Sequence, residues 1–168
     1  SEDRNLTNVF DLSSFFSNNV NVTYLFNQEP VWTTFILTEN RVTFIPLKDW
    51  NGIIFANITA SYKNIVYESS NNFNFTVMPV NDAPFLNKTI PNQTWIVNTL
   101  KKIDLEDHFT DVDGDLLTYW AKDTPHIEIG VDQSEGEVDF FPENNWIGTT
   151  STQFYANDTS KLTAQSNT

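Results

Sequence analysis

The same β-rich pattern is written twice in this chain, and that repetition limits the fold more than any single motif. Val42-Thr43-Phe44-Ile45-Pro46 recurs 96 positions later as Val138-Asp139-Phe140-Phe141-Pro142. At the same spacing Trp50 and Gly52 recur as Trp146 and Gly148, and Ala60 as Ala156. Upstream, Asp11-Leu12-Ser13-Ser14-Phe15-Phe16-Ser17 matches Asp104-Leu105-Glu106-Asp107-His108-Phe109-Thr110 at a spacing of 93, so the second copy carries the longer loop between the blocks. Self-similarity over most of a chain points to tandem units. The 168 residues leave room for two small sandwiches.

Each copy reads as strands. Val20-Asn21-Val22-Thr23-Tyr24, Arg41-Val42-Thr43-Phe44-Ile45 and Phe73-Asn74-Phe75-Thr76-Val77 alternate apolar and polar residues, the period of a half-buried strand. Glu39-Asn40 and Ser134-Glu135-Gly136 separate apolar runs and read as hairpin turns. No segment keeps a helical period over three turns. Met78-Pro79-Val80-Asn81-Asp82-Ala83-Pro84 is a short, stiff connector, which predicts units at 1–80 and 85–168 joined by residues 81–84. The offsets predict that the first unit lacks its opening strand and the second its closing strand. The expected source of the missing strands is the same polypeptide or, alternatively, a neighbouring subunit.

Charge narrows the partners. Asp and Glu total 22 against 9 Lys and Arg, a net charge of −13. Such a surface repels nucleic acid and anionic lipid. With no cysteine there is no disulfide framework and no thiolate chemistry. No apolar run reaches the roughly 18–20 residues of a membrane helix, and any targeting or anchoring segment is expected outside this chain. The only histidines, His108 and His126, are isolated, and no hydrolase, zincin or phosphate-loop motif occurs, so a non-enzymatic role is expected. Seven sequons, at Asn5, Asn21, Asn57, Asn74, Asn87, Asn92 and Asn157, fit a glycosylated surface protein, although strand alternation itself favours Asn-apolar-Thr.

Asp111, Asp113 and Asp115 crowd three carboxylates into five residues, where mutual repulsion is relieved by a hard cation. Ca²⁺, with six to eight oxygen ligands, suits them. Zinc does not match an all-oxygen set. An EF-hand is excluded, since Gly114 falls fourth and Lys122 twelfth in such a loop. A plain Asp/Gly turn without metal is the other reading.

Three blocks carry a family resemblance. Pro79-Val80-Asn81-Asp82-Ala83-Pro84 resembles the junction between tandem cadherin-like repeats of bacterial and archaeal surface proteins. Phe109-Thr110-Asp111-Val112-Asp113-Gly114-Asp115-Leu116-Leu117-Thr118-Tyr119 is similar to the most typical stretch of those repeats. The segments 140–148 and Phe154-Tyr155-Ala156-Asn157-Asp158 continue it in order. The resemblance implies two tandem Greek-key β-sandwiches of cadherin-like, immunoglobulin-like type, extracellular display on a cell surface, and calcium at the domain junction. The ligands implied are Asn81 and Asp82 from the connector, Asp111, Asp113 and Asp115 from the loop, and Asp158 from the late turn, with Asp49 from the first copy. Asp49 matches poorly, because Lys48 replaces an acidic neighbour. Asn18-Asn19 and Ser61-Tyr62 stand where acidic residues would be needed for an equivalent site on the first copy, so none is expected there.

These readings converge on a structural repeat segment of an extracellular stalk, adhesin, surface layer or filament, of archaeal style. The expected partners are neighbouring repeats, other copies in a surface assembly, and glycans. Nucleic acid and membrane insertion by this segment are not expected. The alternative is a carbohydrate-binding sandwich using Trp32, Trp95 and Trp120, with Trp50 and Trp146 as packing anchors.

Overall fold

The computed structural model describes residues 3–16, 23–29, 33–62 and 65–168. The chain divides into two compact units, Ser1–Val80 and Asn81–Thr168. Both are all-β, and every ladder between the described strands is antiparallel.

The first unit holds β1 (Leu6–Asp11), β2 (Thr23–Glu29), β3 (Thr33–Thr38), β4 (Arg41–Pro46), β5 (Gly52–Tyr62), β6 (Ile65–Ser69) and β7 (Phe73–Val77). One sheet runs β1-β4-β3; the other places β2 on one side of β5, with β6 and β7 one after the other along its other edge. The chain crosses between the sheets at β1–β2, β2–β3 and β4–β5, a Greek-key sandwich of the immunoglobulin kind. Alternation decides which face is buried. Val42 and Phe44 of β4 point inward, as do Ile54, Ala56, Ile58 and Ala60 of β5, all at most 4% exposed. Phe35, Phe44 and Phe75 form a mutual aromatic contact across the two sheets, with centroids 5.0–5.8 Å apart.

The second unit holds β8 (Phe85–Leu86), β9 (Lys101–Asp104), β10 (Phe109–Thr110), β11 (Thr118–Ala121), β12 (Ile127–Val131), β13 (Glu137–Pro142), β14 (Phe154–Asn157) and β15 (Thr163–Gln165). Its sheets run β9-β13-β12 and β11-β14-β15, with β8 paired to β10. Val138, Phe140, Phe154, Ala156, Leu105, Phe109 and Tyr119 form the core. The opening strand, β8, is only two residues long. Beyond Leu86 the N–H groups of Asn87 and Lys88 both turn to the His108 carbonyl, at 2.8 and 3.2 Å, and Pro91 follows.

The repetition in sequence is a repetition in hydrogen bonds. Leu12 N–H donates to Asn40 O (2.7 Å), and Leu105 N–H to Gly136 O (2.9 Å). Phe16 N–H bonds Leu12 O, and Phe109 N–H bonds Leu105 O, both at 3.1 Å. Trp50 folds over Gly52 and Trp146 over Gly148, close enough that a Cβ on the glycine would lie 3.0 and 2.7 Å from the indole Cζ2. The hairpins at Glu39-Asn40 and at 134–136 form as the turn residues indicate, Glu39 and Gly136 taking φ of +57° and +71°. Of the expected strand over 20–24, Thr23 and Tyr24 belong to β2. Val20, Asn21 and Val22 lie outside the described residues, as do Asn18, Asn19 and Trp32.

Candidate metal centre

The acidic residues singled out in the second half gather within the second unit through a closed set of hydrogen bonds. Asp111 opens the loop after β10. Its Oδ1 accepts the N–H of Asp113 at 2.8 Å and that of Asp115 at 3.4 Å, an Asx-turn that folds the loop back on itself. Gly114, at φ +76°, supplies the left-handed residue this turn requires. Asp113 Oδ2 accepts the N–H of Asp82, at 2.8 Å. Asp115 Oδ2 accepts the hydroxyl of Thr159, at 2.8 Å.

Asp158, on the turn after β14, is 1% exposed. Its Oδ2 accepts Asn81 Nδ2 at 2.7 Å, and its Oδ1 accepts Leu162 N–H at 2.8 Å. Burial pushes this carboxyl up. The donors Asn81, Leu162, Ser160 and Lys161 outweigh burial and hold it below the ordinary aspartate range, so it stays an anion. Asn81 Oδ1 in turn accepts the Ser160 hydroxyl, at 3.0 Å. Connector, loop and late turn therefore meet through Asn81, Asp82, Asp111, Asp113, Asp115 and Asp158.

Does this donor set fit a hard cation? The carboxylate Oδ2 of Asp111 is buried and has no hydrogen-bond partner. A buried anionic oxygen left without a donor is costly. Among the described residues no lysine or arginine pairs with Asp111, Asp113, Asp115 or Asp158. All the donors are oxygen, which suits Ca²⁺ and not zinc. Their donor chemistry fits calcium, while among the described residues no three of the carboxylates of Asp82, Asp111, Asp113, Asp115 and Asp158 bring ligand oxygens within 4.8 Å of one another.

Asp49 lies in the first unit, on the turn after β4, at φ +57°. Lys48 Nζ sits 2.7 Å from its Oδ2 and 2.8 Å from its Oδ1. Sequence reasoning missed Thr159 and Ser160, whose hydroxyls tie the late turn to Asp115 and Asn81. Their only signal was their place directly after Asp158.

The remaining candidates scatter. His108 is 7% exposed, its Nδ1 3.0 Å from Lys88 O. His126 stacks on Trp146 and sits 3.0 Å from Glu143. Trp95, a candidate in the carbohydrate-binding alternative, is half-buried and packs on the core against Phe140, with centroids 5.7 Å apart. Trp120 is half-buried and stacks face to face on its cross-strand neighbour Tyr155 (5.3 Å, 8°). Of the sequons, Asn5, Asn74, Asn87 and Asn92 are exposed. Asn57 and Asn157 are half-buried: Asn57 Oδ1 accepts Asn27 Nδ2, and Asn157 Oδ1 accepts the Thr163 hydroxyl. Asn21 lies outside the described residues.

No helix among the described residues is long and apolar enough to cross a membrane. No protein-family model matches the chain, and no curated protein matches it. Among solved structures it is similar to a fragment of mouse cadherin-23 spanning repeats EC22–24, at 17% identity and a TM-score of 0.48, covering 85% of this chain and 50% of that one. It is also similar to an endo-fucoidan hydrolase of glycoside hydrolase family 107, at 18% identity and a TM-score of 0.38, covering 87% of this chain and 23% of that one. The fold assignment rests on the sheets themselves.

Proposed function

We propose that this chain is a structural repeat segment of an extracellular surface protein, a stalk, adhesin, surface layer or filament, and that its second unit binds calcium. Asn81, Asp82, Asp111, Asp113, Asp115 and Asp158 would hold the ion, which would supply positive charge to carboxylates carried on the connector, the loop and the late turn. The single observation behind this reading is the buried, unpartnered Oδ2 of Asp111, in a loop that hydrogen bonds tie to the connector and the late turn. Asn81 and Asp82 begin the second unit directly after Pro79-Val80. Fixing them to the loops of that unit would take conformational freedom out of the connector, and calcium would add to that stiffness.

Calorimetry with Ca²⁺ tests the reading. The expected dissociation constant is about 10⁻⁴–10⁻³ M, the range of extracellular modules. Asp111→Asn should weaken it at least tenfold. No heat on titration, together with a Tm indifferent to a chelator, would overturn the proposal.

A further inference from the structure

The outer face of β5 carries two exposed apolar side chains beside a glycosylation sequon. Alternation turns Ile54, Ala56 and Ile58 into the core and leaves Ile53, Phe55, Asn57 and Thr59 on the opposite face. Asn57 and Thr59 join a ladder of amides and hydroxyls there. Asn27 Nδ2 donates to Asn57 Oδ1 at 2.9 Å, Asn57 Nδ2 donates to Asn72 Oδ1 at 3.3 Å, and Thr59 Oγ1 lies 3.3 Å from Ser69 Oγ. Ile53 and Phe55 stand at the other end of the strand, 49% and 59% exposed.

The strand paired with that end of β5 is β7, in the register Phe55↔Asn74 and Ile53↔Thr76. Phe73, Phe75 and Val77 of β7 pack on the core, while Asn74 and Thr76 are exposed. Both recognised residues of the sequon Asn74-Phe75-Thr76 therefore lie on the outer face, each directly across from an exposed apolar side chain. Partners so placed have Cβ atoms about 4.5–5.5 Å apart, so a ring attached to the Asn74 amide reaches Phe55. Two other sequons are placed differently. Asn57 Nδ2, the atom that would carry a sugar, is given to Asn72, and Asn157 Oδ1 accepts the Thr163 hydroxyl at 2.6 Å; both residues are half-buried.

We propose that Asn74 carries an N-linked sugar whose first ring lies on Phe55, with Ile53 beside it. The inference rests on the extracellular reading given above. The donor is a sugar held through its anomeric carbon on a lipid phosphate. Asn74 Nδ2 bonds to that carbon, the bond from the carbon to the phosphate oxygen breaks, the lipid phosphate leaves with the electron pair, and the amide gives up one proton. A pyranose ring presents a face of weakly positive C–H groups, which matches the negative face of the Phe55 ring. The contact removes apolar surface from water on both partners.

The test secretes the full chain from a eukaryotic cell line that attaches N-glycans, then trims each glycan to one N-acetylglucosamine with an endoglycosidase. Peptide mass mapping should find the sugar on Asn74. Its ring protons should show nuclear Overhauser contacts to the Phe55 ring and move upfield. Asn74→Gln should lower the Tm of the first unit by about 4 °C, and Phe55→Val should shrink that difference at least twofold. In sugar-free chain made in bacteria, Asn74→Gln should leave Tm unchanged. A bare Asn74, a sugar with no contact to Phe55, or an equal fall in Tm without the sugar would overturn the proposal. Calcium calorimetry on the same samples should not depend on the sugar, because Asn74 belongs to the first unit and the proposed ligands to the second. A bare Asn74 with calcium heat intact would strike this inference alone.

Discussion

Asn81 Nδ2 reaches Asp158 Oδ2 at 2.7 Å, across 77 positions of sequence, and this bond ties the start of the second unit to the turn after β14. The pairing of a neutral amide with a buried carboxylate yields a prediction whose sign depends on metal. Asn81→Asp places a second carboxylate against Asp158. In chelator Tm should fall by several degrees, since like charges then meet with no counter-ion. Millimolar calcium should recover most of the loss. A loss that calcium leaves unchanged would speak against a cation at this place.

Asp111 should behave in the opposite sense. Asp111→Asn removes a buried charge whose Oδ2 has no donor. Without metal the variant should be as stable as the parent or more so, because that carboxylate is a cost in the metal-free protein. With calcium it should be less stable than the parent. Thermal melts of both proteins in chelator and in calcium check the reversal.

Ser166→Ala should be costly for so small a change. The hydroxyl accepts the N–H of Phe154, a residue 4% exposed, and its loss leaves that N–H buried without a partner. The expected loss is about 1–3 kcal/mol. Exchange of the Phe154 amide should quicken with it. Ser70→Ala should do the same at Ile58, where the bond is 2.9 Å.

The tryptophan–glycine pairs predict an order. Gly148→Ala would set a Cβ 2.7 Å from Trp146 Cζ2 and displace the indole, at about 1–3 kcal/mol. Gly52→Ala meets the same obstacle at 3.0 Å and also strains a backbone at φ +146°. It should therefore cost more. Denaturant melts, with tryptophan fluorescence reporting the displaced ring, check both size and order.

Tyr119 sets an alkaline limit. Its phenol, 4% exposed, is pushed up to about 12, first by burial and then by the charges of Glu106 and Asp104. The folded state therefore favours the protonated phenol. That stability is complete below the unfolded value near 10 and is lost as pH rises towards 12. Phenolate absorbance should show the last tyrosine ionising together with unfolding of the second unit. Tyr119→Phe should flatten the loss across this window.

The strands were legible because burial is written in a period of two. Val42 and Phe44, and their counterparts Val138 and Phe140, are buried at the positions that alternation marks. Asp111, Asp113 and Asp115 were legible because carboxylates so close in sequence must be close in space. The half-burial of Trp95 was not legible, since the size of an aromatic ring does not say whether it meets solvent or core.

By itself the sequence determined two copies of one β-pattern, their turns, and the inward face of each strand. These depend on neighbours along the chain and on a spacing that repeats. Only the tertiary structure decided that the hydroxyls of Thr159 and Ser160 tie the late turn to Asp115 and Asn81, and that Asp158 is buried yet held as an anion. Those facts depend on which donors and side chains arrive from distant positions, and hydrogen bonding and packing are satisfied in space.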